Sequence, residues 1–184
     1  FVPVPVFSYA VQGLSSHTLF YSSMEAANRQ FDTQFYGLDV AGNYIKTHKK
    51  SGDRVLHSSH QAYGILWHGD VKGNPGVHVR VEDMMRLENE RNVSWIFIYQ
   101  WDFDIFQKPE DAAILDYFSK NYRVTQVGLM SQNGQNSPLY LLLRKAGNFS
   151  INDLGAAVQG KPVRTQDYEL TRGTVQMQYV NVEP

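Results

Sequence analysis

Apolar residues recur at helical spacing in several stretches of the chain and run without interruption in one. "YGLDVAGNYIKTHKK" (36–50) sets Leu38, Ala41, Ile45 and His48 on one helical face, with Tyr44 beside them, and "SGD" ends the helix. "EDMMRLENERN" (82–92) predicts a second helix with acids at its start. "PEDAAILDYFSKNY" (109–122) predicts a third. It has Pro at the first position and acids in the first turn, and turns Ala113, Ile114, Tyr117 and Phe118 inward. Shorter helices are expected over "SSMEAANRQF" (22–31), over "HQAYGILW" (60–67) and over "SINDLGAAV" (150–158), where Ser150 and Asp153 form a capping box.

The uninterrupted run is "VSWIFIYQW" (93–101). Such a strand suits a parallel sheet that is covered on both faces. "RVLHSS" (54–59) and "VHVRV" (77–81) read as short strands, while "HGDVKGNPG" (68–76) and "DFDIFQK" (102–108) read as loops. "RVTQVGLM" (123–130) and "PLYLLLRK" (138–145) flank a turn containing Asn-Gly, so they pair antiparallel. Right-handed crossovers then give an α/β fold: a small three-layer, mainly parallel sheet with an antiparallel edge strand. "VRTQDYEL" and "TVQMQYVNV" add a C-terminal β-hairpin. "FVPVPVF" (1–7) alternates Val and Pro, which favours extended chain and forbids a central strand. The expected division is a segment at 1–35, an α/β core at 36–147, and a helix and hairpin extension at 148–184.

Composition narrows the function classes. The chain has 184 residues, 42% of them hydrophobic, enough for a single core. Seventeen Lys and Arg oppose eighteen Asp and Glu, so no basic stripe exists for nucleic acid. "KTHKK" (46–50) reads instead as a last helical turn, where cations suit the dipole. The absence of cysteine excludes disulfides, thiolate zinc sites and thiol nucleophiles, and leaves the compartment open. No apolar run approaches the roughly 20 residues of a spanning helix. Asn92-Val93-Ser94 and Asn148-Phe149-Ser150 match the glycosylation sequon, a pattern short enough to arise by chance.

Candidate chemistry concentrates in "RVLHSSHQAYGILWHGD" (54–70) and "QWDFDIF" (100–106). Ligands of open α/β sheets bind at the carboxyl ends of parallel strands. His57, Ser58 and Ser59 fall at such an end, and Trp67 and His68 close the same unit. One reading is a polar binding lip made by Ser58, Ser59, His60, Trp67, His68 and Asp70. The plainer reading, which carries more weight, has Ser58 or Ser59 capping a helix and the histidines satisfied locally. Serine catalysis lacks the Gly-flanked elbow, and H-E-x-x-H is absent, so no catalytic residue, metal ligand or cofactor is assigned. Asp102 and Asp104 end the central strand; they could serve magnesium-phosphate or glycosidic chemistry, or simply be solvated. Trp67 and Trp101 would suit sugar stacking or a core edge. His17, His48 and His78 show no local partner set.

The order "GLDVAGNYIKTHKKSGDRVLHSS", "NVSWIFIYQ", "AAILDYFSKNYRVTQVGLM", "PLYLLLRKAG" resembles the soluble C-terminal, extracytoplasmic domain of polytopic membrane glycosyltransferases. These are the lipid-phosphate-sugar-dependent enzymes related to protein mannosyltransferases and aminoarabinose transferases. The resemblance covers residues 36–147, roughly 60% of the chain. It implies that "FVPVPVF" follows a membrane helix and that the partner is the membrane portion of the same polypeptide. It also implies a catalytic carboxylate in an early loop between membrane helices, outside this chain, and a location on the extracytoplasmic face. The insert "SSHQAYGILWHGD" and the terminal hairpin depart from the family pattern. The expected function is therefore a domain, non-catalytic alone, that positions an acceptor, a sugar or a lipid-phosphate-sugar donor. A free-standing α/β enzyme acting on phosphate or sugar groups, and a structural or partner-binding surface module, are the alternatives.

Overall fold

The computed structural model describes residues 36–58, 60–132, 135–150, 154–170 and 173–183. The segment 1–35 with its extended run and short helix, the Asn133–Gly134 turn, Asp153 of the capping box and the hairpin tip at 171–172 lie outside the described residues.

Among the described residues, seven strands form one sheet: β1 (Arg54–His57), β2 (Lys72–Pro75), β3 (Val93–Tyr99), β4 (Tyr122–Gln132), β5 (Gln135–Lys145), β6 (Val163–Leu170) and β7 (Gly173–Asn181). Their spatial order is β2-β1-β3-β5-β4-β7-β6. β1 runs parallel to β2 and β3, and every other pairing among the described strands is antiparallel. The sheet is thus mixed, and the expectation of a mainly parallel sheet with one antiparallel edge is corrected. The reason lies in β5. Leu139, Tyr140, Leu141, Leu142 and Leu143 are buried in succession, so both faces of this strand need cover. It therefore sits inside the sheet, between β3 and β4, with Ile98 opposite Leu141 and Val127 also opposite Leu141. The C-terminal hairpin is present, and β7 adds to β4 with Val127 opposite Val180.

Strand β2 overturns two local expectations. Lys72–Pro75 falls in the stretch read as a loop, while 77–80 has no regular structure and a helix starts at Val81. "KGNP" has poor strand propensity, but β1 offers it an open ladder edge. There Gly73 lies opposite Val55, where a Cβ would meet Leu66 Cδ2 at 2.6 Å and the Val55 carbonyl at 2.8 Å. Pro75 is tolerated because β2 is an outer strand. Gly76, at φ 91°, then turns the chain, and its N–H donates to the His57 carbonyl at 2.8 Å. Val77, Val79 and Val81 pack against the core, and among the described residues no strand pairs with them.

The helices among the described residues are α1 (Leu38–His48), α2 (Gly64–Gly69), α3 (Val81–Arg91), α4 (Ala112–Asn121) and α5 (Leu154–Val158); 3-10 turns at His60–Tyr63 and Pro109–Asp111 lead into α2 and α4. β3 sorts them to two faces, since alternate residues of a strand point opposite ways. Trp95, Phe97 and Tyr99 join Leu38, Ala41, Ile45 and Ile65 in one core. Ile96 and Ile98 join Met84, Ile114, Leu115 and Phe118 in the other. On α4 the buried set is Ile114, Leu115 and Phe118; Ala113 is exposed, a small rotation from the predicted face. A buried acid, Glu88, lies beside the second core. Its carboxylate accepts hydrogen bonds from Tyr122 Oη (2.7 Å) and Tyr117 Oη (2.9 Å) and pairs with Lys145 Nζ (2.6 Å). Burial and the Glu88 hydrogen bond push the Tyr117 phenol up to about 12 and the Tyr122 phenol up as well.

Candidate functional site

Because β1, β2 and β3 run parallel, their carboxyl ends share one edge of the sheet. The segments that leave this edge are Ser58–Tyr63, Gly76–Arg80 and the 3-10 turn Gln100–Phe106. This edge is where a ligand is expected in an open α/β sheet.

Ser58 is buried here and is committed to the backbone. Its N–H donates to the Phe97 carbonyl at 2.8 Å, and its Oγ accepts from the Tyr99 N–H at 2.7 Å. It thus locks β1 to β3 rather than capping a helix; α2 starts after Tyr63 with no side-chain cap. Ser59 and the side chain of His60 lie outside the described residues.

His57 is the residue that the sequence underrated. It is fully buried, opposite Phe97 in register. Its Nδ1–H donates to the Ser58 carbonyl at 2.6 Å, which leaves Nε2 as an acceptor. Nε2 is buried with no hydrogen-bond partner among the described residues. Burial lowers the imidazole pKa, so the ring is held neutral. The Tyr63 ring meets it edge-on at 5.5 Å. A polar residue ending a buried strand, where an apolar one would be expected, was the available sequence signal. Trp101 lies against the same core face, its ring centroid 4.2 Å from that of Tyr99. Its Nε1–H is also buried and without a partner among the described residues. His57 Nε2 is thus an unused acceptor and Trp101 Nε1–H an unused donor at this edge.

Asp102 and Asp104 meet a histidine that showed no local partners. His78 Nε2 lies 3.3 Å from Asp104 Oδ1 and 3.9 Å from Asp102 Oδ1, and His78 Nδ1 lies 2.7 Å from Asp111 Oδ2. Lys108 Nζ pairs with Asp104 Oδ2 at 2.5 Å. The loop after β2 supplies the imidazole and the turns after β3 supply the carboxylates, so only the fold assembles the group. A concavity of about 270 Å³ opens beside His78 and Asp111, bordered by Arg80 and Glu110. Among the described residues, no cluster of three or more His, Asp or Glu has the arrangement of a metal site.

The remaining candidates go elsewhere. α2 leads away from the carboxyl end of β1 toward the start of β2. Trp67 is 85% exposed on it. His68 is exposed, with its Cβ where α2 crosses Gly42 of α1. Asp70, in the left-handed conformation at φ 45°, ends the helix and pairs with Lys49 Nζ at 3.3 Å. Ser58, Asp102 and Asp104 are thus on the carboxyl edge, and His68 and Asp70 are not. Among the described residues no helix is long and apolar enough to cross a membrane. No protein-family model matches the chain, and no curated protein sequence matches it.

Proposed function

We propose that this chain is the extracytoplasmic domain of a membrane glycosyltransferase using a lipid-phosphate sugar, and that its carboxyl edge positions a sugar of the donor or acceptor. The observation that carries the sugar reading is the pair of unused groups at that edge: the His57 Nε2 acceptor and the Trp101 Nε1–H donor. A hydroxyl is both donor and acceptor and satisfies either. The Trp101 indole, tilted 44° against Tyr99, is an aromatic group of the kind that pyranose rings cover. Asp102 and Asp104 add carboxylate acceptors on the same turn. The membrane reading is supported by the element order. α1 and β1, then β3, then α4 and β4, then β5 fall on the segments that carry the family resemblance.

The sugar reading is tested by titrating methyl mannoside, glucose and arabinose against the isotope-labelled chain. At least one is expected to shift the Trp101 indole N–H resonance, and Asp102→Asn is expected to weaken that binding. A Trp101 indole unmoved by every sugar at saturation sinks the reading. A parent gene without membrane helices sinks the glycosyltransferase assignment separately.

A further inference from the structure

We propose that the opposite, amino edge of the parallel strands is a binding site for a phosphate-bearing anion. A concavity of about 450 Å³ opens there, at the starts of β1 and β2 and the end of α1. Five cationic residues line it: Lys46, Lys49 and Lys50 after and along the last turn of α1, Arg54 of β1 and Lys72 of β2. The helix-end reading of "KTHKK" accounts for only the first three; Arg54 and Lys72 arrive through the β1–β2 pairing, in which they lie opposite each other.

The carboxylates in the concavity are Asp53 and Asp70. Asp70 is taken by Lys49 at 3.3 Å. Asp53 Oδ2 accepts from the Lys50 N–H (2.9 Å) and Trp95 Nε1–H (3.1 Å), so it braces the turn and the core. Lys46, Lys50, Arg54 and Lys72 have no carboxylate partner among the described residues. Five cations against two carboxylates leave +3, on a chain whose formal net charge is -1. The C-termini of α1 and α2 each add roughly half a negative charge, which lowers the excess to about +2. A phosphate dianion or a diphosphate matches that excess; a single carboxylate does not. The volume also exceeds what a small inorganic ion needs, since one water takes about 30 Å³. Clustered like charges around a concavity raise the local concentration of an oppositely charged ligand, and the guanidinium of Arg54 can grip two phosphate oxygens at once.

This site is on the other edge from the proposed sugar site, and its test is independent. The intact chain is titrated with inorganic pyrophosphate while backbone amide resonances are followed. Shifts are expected at Lys50–Arg54 and at Val71 and Lys72. The double variant Lys50→Glu, Lys72→Glu turns the +3 into -1 and should weaken binding at least about tenfold. The milder Lys50→Gln, Lys72→Gln pair, checked for an unchanged melt, keeps the comparison valid if charge reversal disturbs the fold. Co-sedimentation with phosphatidylcholine vesicles, with and without phosphatidylglycerol, separates the sources. Variant-sensitive binding to the anionic vesicles alone assigns a lipid headgroup; variant-sensitive binding of pyrophosphate alone assigns a soluble phosphate. Binding to neither, or binding that both double variants leave unchanged, overturns the proposal.

Discussion

Ser58→Ala separates a strand lock from a ligand contact. Tyr99 is the last residue of β3, and its buried N–H donates to Ser58 Oγ at 2.7 Å. β1 has already ended at His57, so the serine hydroxyl stands where a further ladder carbonyl would be. Alanine removes one oxygen and leaves a negligible cavity, but it strands a buried backbone donor. Leaving such a group unsatisfied costs about 1–3 kcal/mol. In a chain of this size each kcal/mol moves the melting temperature by about 2–4 °C, so Tm should fall by about 2–12 °C. Urea unfolding, followed by tryptophan fluorescence and circular dichroism, should show a lower midpoint with an unchanged slope. Ser51→Ala, at an exposed turn, should stay within about 0.5 kcal/mol of the parent. A Ser58→Ala midpoint equal to the parent, with sugar binding lost, would refute the structural role and return Ser58 to the ligand.

Glu88→Ala leaves the buried Tyr122 hydroxyl without its acceptor and removes the partner of the half-buried Tyr117 and the part-exposed Lys145, and should cost about 1–3 kcal/mol in urea unfolding; a loss below about 0.5 kcal/mol would mean that the network is not coupled to the core. His57 gives a pH dependence. Its folded-state pKa lies below the ordinary histidine value of 6.5, so the unfolded chain binds the extra proton. That contribution to stability is complete above 6.5 and falls away as the pH drops from there toward the folded value. His57→Gln should flatten this acid-side slope of the urea midpoint, and an identical slope in both proteins would exclude His57 as its source.

Some of the molecule was written locally. The helical spacing of Leu38, Ala41 and Ile45 and the unbroken Val93–Tyr99 run placed α1 and β3, because each element's own periodicity states which faces it must bury. The Asn-Gly signal in "SQNGQNS" predicted the antiparallel β4–β5 pairing. The rule that ligands meet the carboxyl ends of parallel strands directed attention to residues 57–59 and 102–104. None of these local signals says which strand lies beside which. β5 moved inside the sheet because its consecutive leucines needed cover on both faces, and "KGNP" became a strand because β1 had an open edge and space only for Gly73. The same long-range pairing brought His78 to Asp102, Asp104 and Asp111 from as far as 33 positions away. It also carried His68 and Asp70 off the rim and set Arg54 and Lys72 beside the lysines of α1. Periodicity along the chain fixed which residues are inside. Which polar groups meet was decided by strand order, since a side chain's partners lie across the sheet rather than along it.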